Sequence, residues 1–122
     1  MVGGSGNMRP QSAKSKGRKW QQRIARSLTE LFGWGEGDAE SRPTGSPGID
    51  IMLSAKARED WPFDIEAKNT KAFPSWAGLD QGRYNSGHKR LGCMVWKKAR
   101  EDRGMIVFDF DEFSRFWKEW NE

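Results

Sequence analysis

The chain has 122 residues, a length that fits one domain and buries roughly two-thirds of its unfolded surface on folding. Only 35% of the residues are hydrophobic and no apolar run approaches the roughly 18 residues of a membrane span. The absence of such a run excludes a transmembrane protein. Cys93 is the single cysteine, which excludes a disulfide scaffold. Residues 1–19 contain no apolar signal segment, so the sequence predicts a cytoplasmic location without membrane contact.

The chain begins with a basic arm. The net charge of +4 is uneven, because seven of the 21 basic residues lie within residues 1–26, which contain no acid. Residues 1–15 have little to bury, so we expect them to be disordered without a partner, and residues 1–7 have the composition of a linker. Basic arms often lie along nucleic acid, where phosphates attract them. The alternative is an arm that only improves solubility.

Residues 16–122 are expected to form a single domain. Apolar residues at three- and four-residue spacing predict an amphipathic helix from residue 16 to the glycine at position 33. Residues 33–48 are rich in Gly, Ser and Pro and predict a loop or an irregular edge strand. The hydrophobic period then changes to two, which predicts strands over 49–53 and 63–68 joined by a hydrophilic turn.

The second half of the chain predicts a helix, two strands and a last helix. The helix over 75–90 is weakened by three glycines. Apolar runs at 92–96 and 105–108 predict strands that are covered on both faces. The last helix begins near Asp109 or Asp111, whose charge suits a helix N-terminus. The fold class is therefore α/β, a mixed central sheet flanked by helices in the order α-β-β-β-α-β-β-α.

Most of the seven tryptophans are expected in the core or an interface. Trp20, Trp117 and Trp120 fall on the apolar stripes of predicted helices. Trp76 could stack on an unpaired base or pack in a dimer contact, but core filling is the favoured interpretation.

Candidate chemistry lies on the two strands at 49–53 and 63–68. The second strand places Asp64, Glu66 and Lys68 on one face, a pattern that is also typical of a solvated strand face with a favourable charge pair. Asp50 lies on the polar side of the first strand. If the two strands pair as a hairpin, Asp50 and Glu66 converge with Lys68 beside them.

Two adjacent carboxylates repel each other unless a cation lies between them, and oxygen ligands select a hard ion such as Mg²⁺ or Mn²⁺. Such an ion can activate a water and neutralise charge on a phosphate, to which a lysine adds positive charge. The pattern therefore predicts phosphodiester hydrolysis. His88 is the one histidine of the chain, which excludes a histidine-metal nuclease and a Ser-His-Asp hydrolase and leaves a polar residue at a helix end.

The motif PGID at 47–50, followed by IEAK at 65–68, resembles the signature of the PD-(D/E)XK nucleases, the restriction-endonuclease-like superfamily. Segments 16–22, 41–48 and 63–69 resemble small phage-encoded members, and archaeal-type Holliday junction resolvases are more distantly similar. The resemblance implies a restriction-endonuclease-like core and a Mg²⁺-dependent DNA endonuclease that acts on duplex or branched DNA. The small size of the domain and the frequency of two-fold assembly predict a homodimer.

The resemblance also implies roles for individual residues. Asp50 and Glu66 become metal ligands together with the backbone carbonyl of Ala67, and Lys68 becomes the catalytic lysine, with Mn²⁺ able to replace Mg²⁺. Relatives often carry an acid on the first helix and a glutamine on the helix after the lysine strand. The position that matches the first-helix acid holds Gln21, and Gln81 matches the supporting glutamine. Glu30 is the one acid of the predicted first helix and could reach the metal, with a surface position as the alternative. The charge of the arm predicts DNA contacts at Lys14, Lys16, Arg18 and Lys19. Arg42 and Ser46 flank the site and could hold a phosphate, with ordinary loop polarity as the alternative.

Two other functions stay open at this point. A non-catalytic nucleic-acid-binding module could keep the same fold and use the arm and the sheet surface as a clamp. A nuclease directed at RNA is also compatible, since no residue of the sequence distinguishes the 2′-hydroxyl group.

Overall fold

The structure is a computed structural model that describes residues 3–86 and 90–122, with side chains from residue 14 onward; the expectation for His88 lies outside these residues. The described residues form a mixed α/β fold of four helices and two small sheets. The elements, in chain order, are α1 (Gly3–Phe32), β1 (Ala39–Ser41), β2 (Ile51–Leu53), α2 (Ala55–Asp60), β3 (Phe63–Thr70), α3 (Ser75–Asn85), β4 (Leu91–Lys98), β5 (Gly104–Val107) and α4 (Phe110–Trp120).

Helix α1 buries one apolar stripe. Trp20, Ile24 and Leu28 are all buried, and the helix ends where Gly33 adopts a φ of +67°, a left-handed conformation that favours glycine. The helix begins at Gly3, whereas composition predicts a disordered arm over residues 1–15.

Strand β2 pairs with β1, not with β3 as the predicted hairpin requires. The pairing is antiparallel and joins Ala39 to Leu53 and Ser41 to Ile51. The predicted irregular edge strand within 33–48 is therefore the partner of β2. One backbone hydrogen bond of 3.1 Å, from the Asp50 N–H to the Ile65 carbonyl, still holds the start of β2 beside β3.

The hydrophilic segment before β3 is a short helix where the sequence predicts a turn. Ser54 caps α2, because its hydroxyl accepts a hydrogen bond of 3.0 Å from the Ala57 N–H. Ala57 is completely buried, so this one apolar contact attaches an otherwise polar helix to the core.

The second sheet has the order β3-β4-β5. Strands β3 and β4 are parallel, with Ile65 opposite Cys93 and Glu66 opposite Met94, while β5 is antiparallel to β4. The predicted covered position is confirmed for β4, which is central. It is wrong for β5, an edge strand on which Met105 is 51% exposed.

Helices α1 and α3 cover opposite faces of this sheet. Ile65 and Cys93 belong to the core cluster formed with α1. The alternate residues face α3: a Cβ added at Gly82 would lie 3.0 Å from the Cβ of Glu66, and one added at Gly78 would lie 2.6 Å from the Met94 sulfur. The Glu66 side chain therefore lies on the face that α3 covers.

Helix α4 begins at Phe110, close to the predicted start, and Asp109 caps it, since its carboxylate accepts a hydrogen bond of 2.9 Å from the Glu112 N–H. Its inner aromatic residues pack on Phe63, with Phe116 at a ring-centroid distance of 5.4 Å. Trp76, Trp117 and Trp120 are all more than half exposed, so the core placement favoured for Trp76 is wrong, and of the two alternatives for Trp117 and Trp120, core or interface, the core one is wrong. An apolar stripe shows that a face can be buried but not whether another element covers it.

None of the helices in residues 3–86 and 90–122 is both long and apolar enough to cross a membrane.

Candidate active site

The loop before β2 fixes the backbone of Asp50. The Arg42 N–H donates to the Asp50 carbonyl at 2.7 Å, and the Arg42 guanidinium donates to the Ile49 carbonyl. Gly48 has a φ of +117°, and a Cβ at this position would lie 3.0 Å from the Arg42 guanidinium carbon. The left-handed φ therefore favours glycine here, and an added Cβ would also crowd the Arg42 guanidinium.

The Asp50 side chain points at the edge of β3. Its Oδ2 accepts a hydrogen bond of 2.7 Å from the Ala67 N–H. In a strand, the N–H and carbonyl of one residue point to the same edge, so the Ala67 carbonyl also lies on the edge that faces Asp50. The Ile65 carbonyl, two residues earlier, lies on this same edge, since it accepts a hydrogen bond from the Asp50 N–H. The Ala67 carbonyl, the predicted third metal ligand, therefore lies on the same side of β3 as Asp50.

Glu66 is buried and held from two sides. The side-chain amide of Asn85 donates to Glu66 Oε1 at 3.0 Å, and the Lys68 Nζ lies 3.5 Å from Glu66 Oε2. Asp64 is equally buried and pairs with Arg58 at 2.9 Å. The alternative of a solvated strand face is therefore wrong, because α2 and α3 supply polar partners that allow these acids to be buried.

Lys68 lies between the acid and a glutamine. Its Nζ donates a hydrogen bond of 2.8 Å to the Oε1 of Gln81 on α3. The supporting position predicted for Gln81 is thus in contact with Lys68. The side chain of Lys68 is 27% exposed, so the ammonium group stays accessible to a ligand from solvent.

The electrostatics of the two acids differ from those of surface carboxylates. Burial and the neighbouring Asp50 carboxylate raise the pKa of Glu66 to about 7, although Lys68 and Asn85 act in the opposite direction. Burial also raises the pKa of Asp50, against the opposing effect of the Ala67 N–H. At neutral pH the pair therefore gains from sharing a proton or from binding a cation.

The oxygen atoms at this site are suitable ligands for a hard divalent ion. The carboxylates of Asp50 and Glu66 and the Ala67 carbonyl are oxygen ligands, the type that Mg²⁺ and Mn²⁺ prefer. No group of three or more His, Cys, Asp or Glu side chains comes together within the described ranges. Mg²⁺ does not need such a group, because it commonly keeps several waters and binds through one or two carboxylates plus substrate phosphates.

Neither of the two candidate residues on the first helix is seen to contact the carboxylate pair. Glu30 is exposed and lines a separate open cleft of about 540 Å³ together with Glu36 and Glu40. Gln21 is half-buried and, among the contacts of the described residues, makes no hydrogen bond to Asp50 or Glu66. Both lie on α1, which packs on the face of the sheet opposite to Glu66.

The predicted DNA contacts divide into two groups. Arg42 lies at the site, close enough for its charge to oppose the rise of the Asp50 pKa. Ser46 is exposed in the neighbouring turn, which its N–H closes on the Pro43 carbonyl at 3.1 Å. The remaining four residues are exposed at the start of the described side chains of α1 and point to more than one side of the helix; together they are called the basic face: Lys14, Lys16, Arg18 and Lys19.

Sequence reasoning missed Asn85 as a site residue. The signal that could have found it is the spacing to Gln81, because residues four apart lie on the same side of a helix. Both amides then face the strand that carries Glu66 and Lys68.

No protein-family model matches this chain, and searches of curated proteins and of solved structures give no significant match.

Proposed function

We propose that this chain is a metal-dependent DNA endonuclease of the PD-(D/E)XK type with a restriction-endonuclease-like core. The observation that carries the proposal is the approach of Asp50, held against β3 by the Ala67 N–H, to the Glu66 carboxylate, with Lys68 3.5 Å from Glu66. The resemblance of the motifs at 47–50 and 65–68 assigns the same three residues. The motif and the geometry thus point to the same three residues.

Asp50, Glu66 and the Ala67 carbonyl would hold Mg²⁺, which Mn²⁺ can replace. When bound, the ion supplies Lewis acidity at the scissile phosphate and lowers the pKa of an attacking water. The protein holds both carboxylates before any ligand arrives, through the Ala67 N–H and the Asn85 amide. Such preorganisation reduces the reorganisation needed during the reaction.

Lys68 acts on the substrate phosphate. Its ammonium group is restrained by Gln81 and Glu66 and remains partly exposed. A positive charge fixed at this position stabilises the negative charge that develops on the phosphate oxygens as the phosphodiester bond breaks. Arg42, at the rim of the site, can hold a neighbouring phosphate.

The basic face on α1 supplies affinity for the DNA backbone. Its four side chains are exposed and lie in a stretch of chain without acids. Contacts between such side chains and phosphates carry no sequence information, so this surface fits binding that depends on DNA structure more than on sequence. Branched DNA, such as a Holliday junction, is the substrate that we propose.

A homodimer fits both the substrate and the surface of the chain. One short domain offers little area to grip two strands, and two-fold pairing is the commonest assembly. The apolar stripe of α4 leaves Phe110, Trp117 and Trp120 exposed, an aromatic surface of the kind that is enriched in protein interfaces. Sedimentation equilibrium of the full chain tests this, and a monomer at all concentrations would contradict it.

The function is tested by cleavage of linear duplex, single-stranded and four-way-junction DNA with Mg²⁺ or Mn²⁺, and of the matching RNAs. We expect the wild type to cut junction DNA, Lys68→Ala to be slower by about 10²- to 10³-fold, and Asp50→Ala to be inactive. Lys71→Ala and Asp102→Ala, which change an exposed lysine and an exposed acid outside the site, are matched controls with wild-type rates.

The main alternative is a non-catalytic nucleic-acid clamp with the same fold, which the exposed basic face favours. The same experiment separates the two functions. If the wild type binds junction DNA but leaves every substrate intact in both metals, the endonuclease proposal fails and the clamp stands. Cleavage of the RNA substrates alone would instead favour the RNA-directed nuclease.

A further inference from the structure

Two side-chain amides of α3 contact the charged residues of the site. Asn85 donates to Glu66 Oε1 at 3.0 Å, and Gln81 accepts from the Lys68 Nζ at 2.8 Å. Because Gln81 and Asn85 are four residues apart, they project from the same side of the helix. Each amide thus restrains one of the two charges on β3.

The position of α3 depends on glycines that allow close packing. A Cβ at Gly82 would lie 3.0 Å from both the Glu66 Cβ and the Cys93 carbonyl oxygen. A Cβ at Gly92 would lie 2.6 Å from the Gly82 carbonyl oxygen. Helix and sheet are therefore in backbone contact beside the site, and a side chain as short as asparagine reaches Glu66.

The hydrogen bond from Asn85 leaves Glu66 suited to act as a cation ligand. An amide NH₂ donates a hydrogen bond to a carboxylate without adding a positive charge, whereas a second cationic side chain beside Lys68 would compete further with a bound cation. The bond fixes Oε1 of Glu66, while Oε2 faces Lys68. The rotation of the carboxylate is restrained and its negative charge is kept.

We propose that Asn85 is a positioning residue that orients the Glu66 carboxylate for a divalent cation. The inference rests on the proposed function and names a residue that neither the motif nor the resemblance assigns. Hydrogen-bond partners of metal ligands typically change metal affinity by about 10- to 100-fold when they are removed. Asn85 acts through Glu66, so its loss changes the affinity for the ion more than the rate once the ion is bound.

The test is Mn²⁺ binding to the full chain without DNA, measured by calorimetry. Asn85→Leu keeps a similar shape and removes the donor, and we expect Mn²⁺ affinity to fall about 10- to 100-fold. Asn85→Gln keeps an amide donor and should recover part of the affinity. Tyr84→Leu changes the adjacent, exposed residue of the same helix and should bind Mn²⁺ like the wild type. Thermal unfolding of each variant reports whether the fold is kept.

Cleavage provides a second readout. Asn85→Leu should need about 10- to 100-fold more Mn²⁺ for half-maximal cleavage and should approach the wild-type rate at saturation, which a purely structural defect would not allow. Unchanged Mn²⁺ affinity in a folded Asn85→Leu overturns the inference. If that variant does not fold, Asn85→Ser, whose side chain is too short to replace the contact, provides the same comparison.

The two proposals fail separately. A wild type that binds Mn²⁺ through Glu66, and binds it more weakly in Asn85→Leu, but cuts no nucleic acid would refute the endonuclease and keep the role of Asn85. If the wild type cuts junction DNA and Asn85→Leu needs the same Mn²⁺ concentration, the endonuclease stands and the role of Asn85 is refuted. Absence of any Mn²⁺ binding by the wild type would overturn the inference directly.

Discussion

The 2.7 Å hydrogen bond from the Ala67 N–H to Asp50 Oδ2 joins a loop residue to the middle of β3. It gives Asp50 two roles, because the same carboxylate is the acceptor for a strand N–H and the proposed ligand of a cation. It also brings a negative charge close to Glu66, whose pKa is raised by burial and, in addition, by this charge. Structural and chemical demands on Asp50 can be separated by substitution.

Asp50→Asn should keep the fold and lose the metal. The asparagine carbonyl can still accept the Ala67 N–H, while the lost charge removes a ligand and lets the pKa of Glu66 fall toward its ordinary range. Asp50→Ala also leaves the N–H without a partner, so we expect it to be less stable than Asp50→Asn by about 1–3 kcal/mol. Urea unfolding and Mn²⁺ calorimetry measure the two effects. Wild-type Mn²⁺ affinity in Asp50→Asn would contradict the assignment of Asp50 as a ligand.

The stability of the metal-free protein should fall as the pH rises from about 4.5 to about 7. Folding raises the pKa of Glu66 from an ordinary value of 4.5 to about 7, so in this window the folded state holds a proton that the unfolded chain has released. The free energy of unfolding therefore decreases with pH and levels off above the folded pKa, by up to about 3 kcal/mol.

This pH dependence is measured by urea unfolding in EDTA at several pH values across the window. Glu66→Gln cannot ionise and should give a flatter curve and a more stable protein above neutral pH. Added Mg²⁺ should restore stability to the wild type at alkaline pH, because a ligand of the folded state shifts the equilibrium. A wild-type curve that rises through the window would contradict the burial of a raised-pKa acid.

The sequence predicts the strands that carry the site better than the contacts between elements. Period-two patterns locate both strands and place Asp50 and Glu66 on their polar sides. They cannot identify strand partners, because Ile51 and Leu53 would bury equally well against β1 or β3. Only the three-dimensional arrangement selects β1.

The local sequence pattern does not predict that charged residues of β3 are buried. An alternating strand predicts a solvated polar face, yet Asp64 is buried under Arg58 of α2, a helix that the hydrophilic composition of its segment conceals. The Ser54 cap is a local signal for that helix, but one capping residue is weak evidence without the buried Ala57. Asn85 can similarly be recognised as a site residue only when the close packing of α3 on β3 at Gly82 is known.

Neutralising the basic face on α1 should reduce the salt dependence of DNA binding. Replacing its four residues by glutamine should lower the slope of log K against log salt by up to about 3.6, since each contacted phosphate contributes about 0.9. Fluorescence anisotropy over a salt series measures the slope. Arg115→Gln and Lys118→Gln, exposed on α4, are controls for the loss of charge alone. An unchanged slope would mean that the arm only improves solubility, and deleting residues 1–15 should have a smaller effect in the same direction.

Gly92→Ala should destabilise the protein and disturb the site, while Gly17→Ala should not. A Cβ at Gly92 would lie 2.6 Å from the Gly82 carbonyl oxygen, a backbone atom that can move only if α3 shifts away from β4. We expect a loss of about 1–3 kcal/mol, with weaker Mn²⁺ binding because Asn85 and Gln81 move with the helix. Gly17 has no atom within 4 Å of an added Cβ, so alanine there should stabilise α1 by about 0.5–1 kcal/mol. Urea unfolding and Mn²⁺ calorimetry on both variants check the contrast, and equal effects would show that backbone contact between α3 and β4 does not position the site.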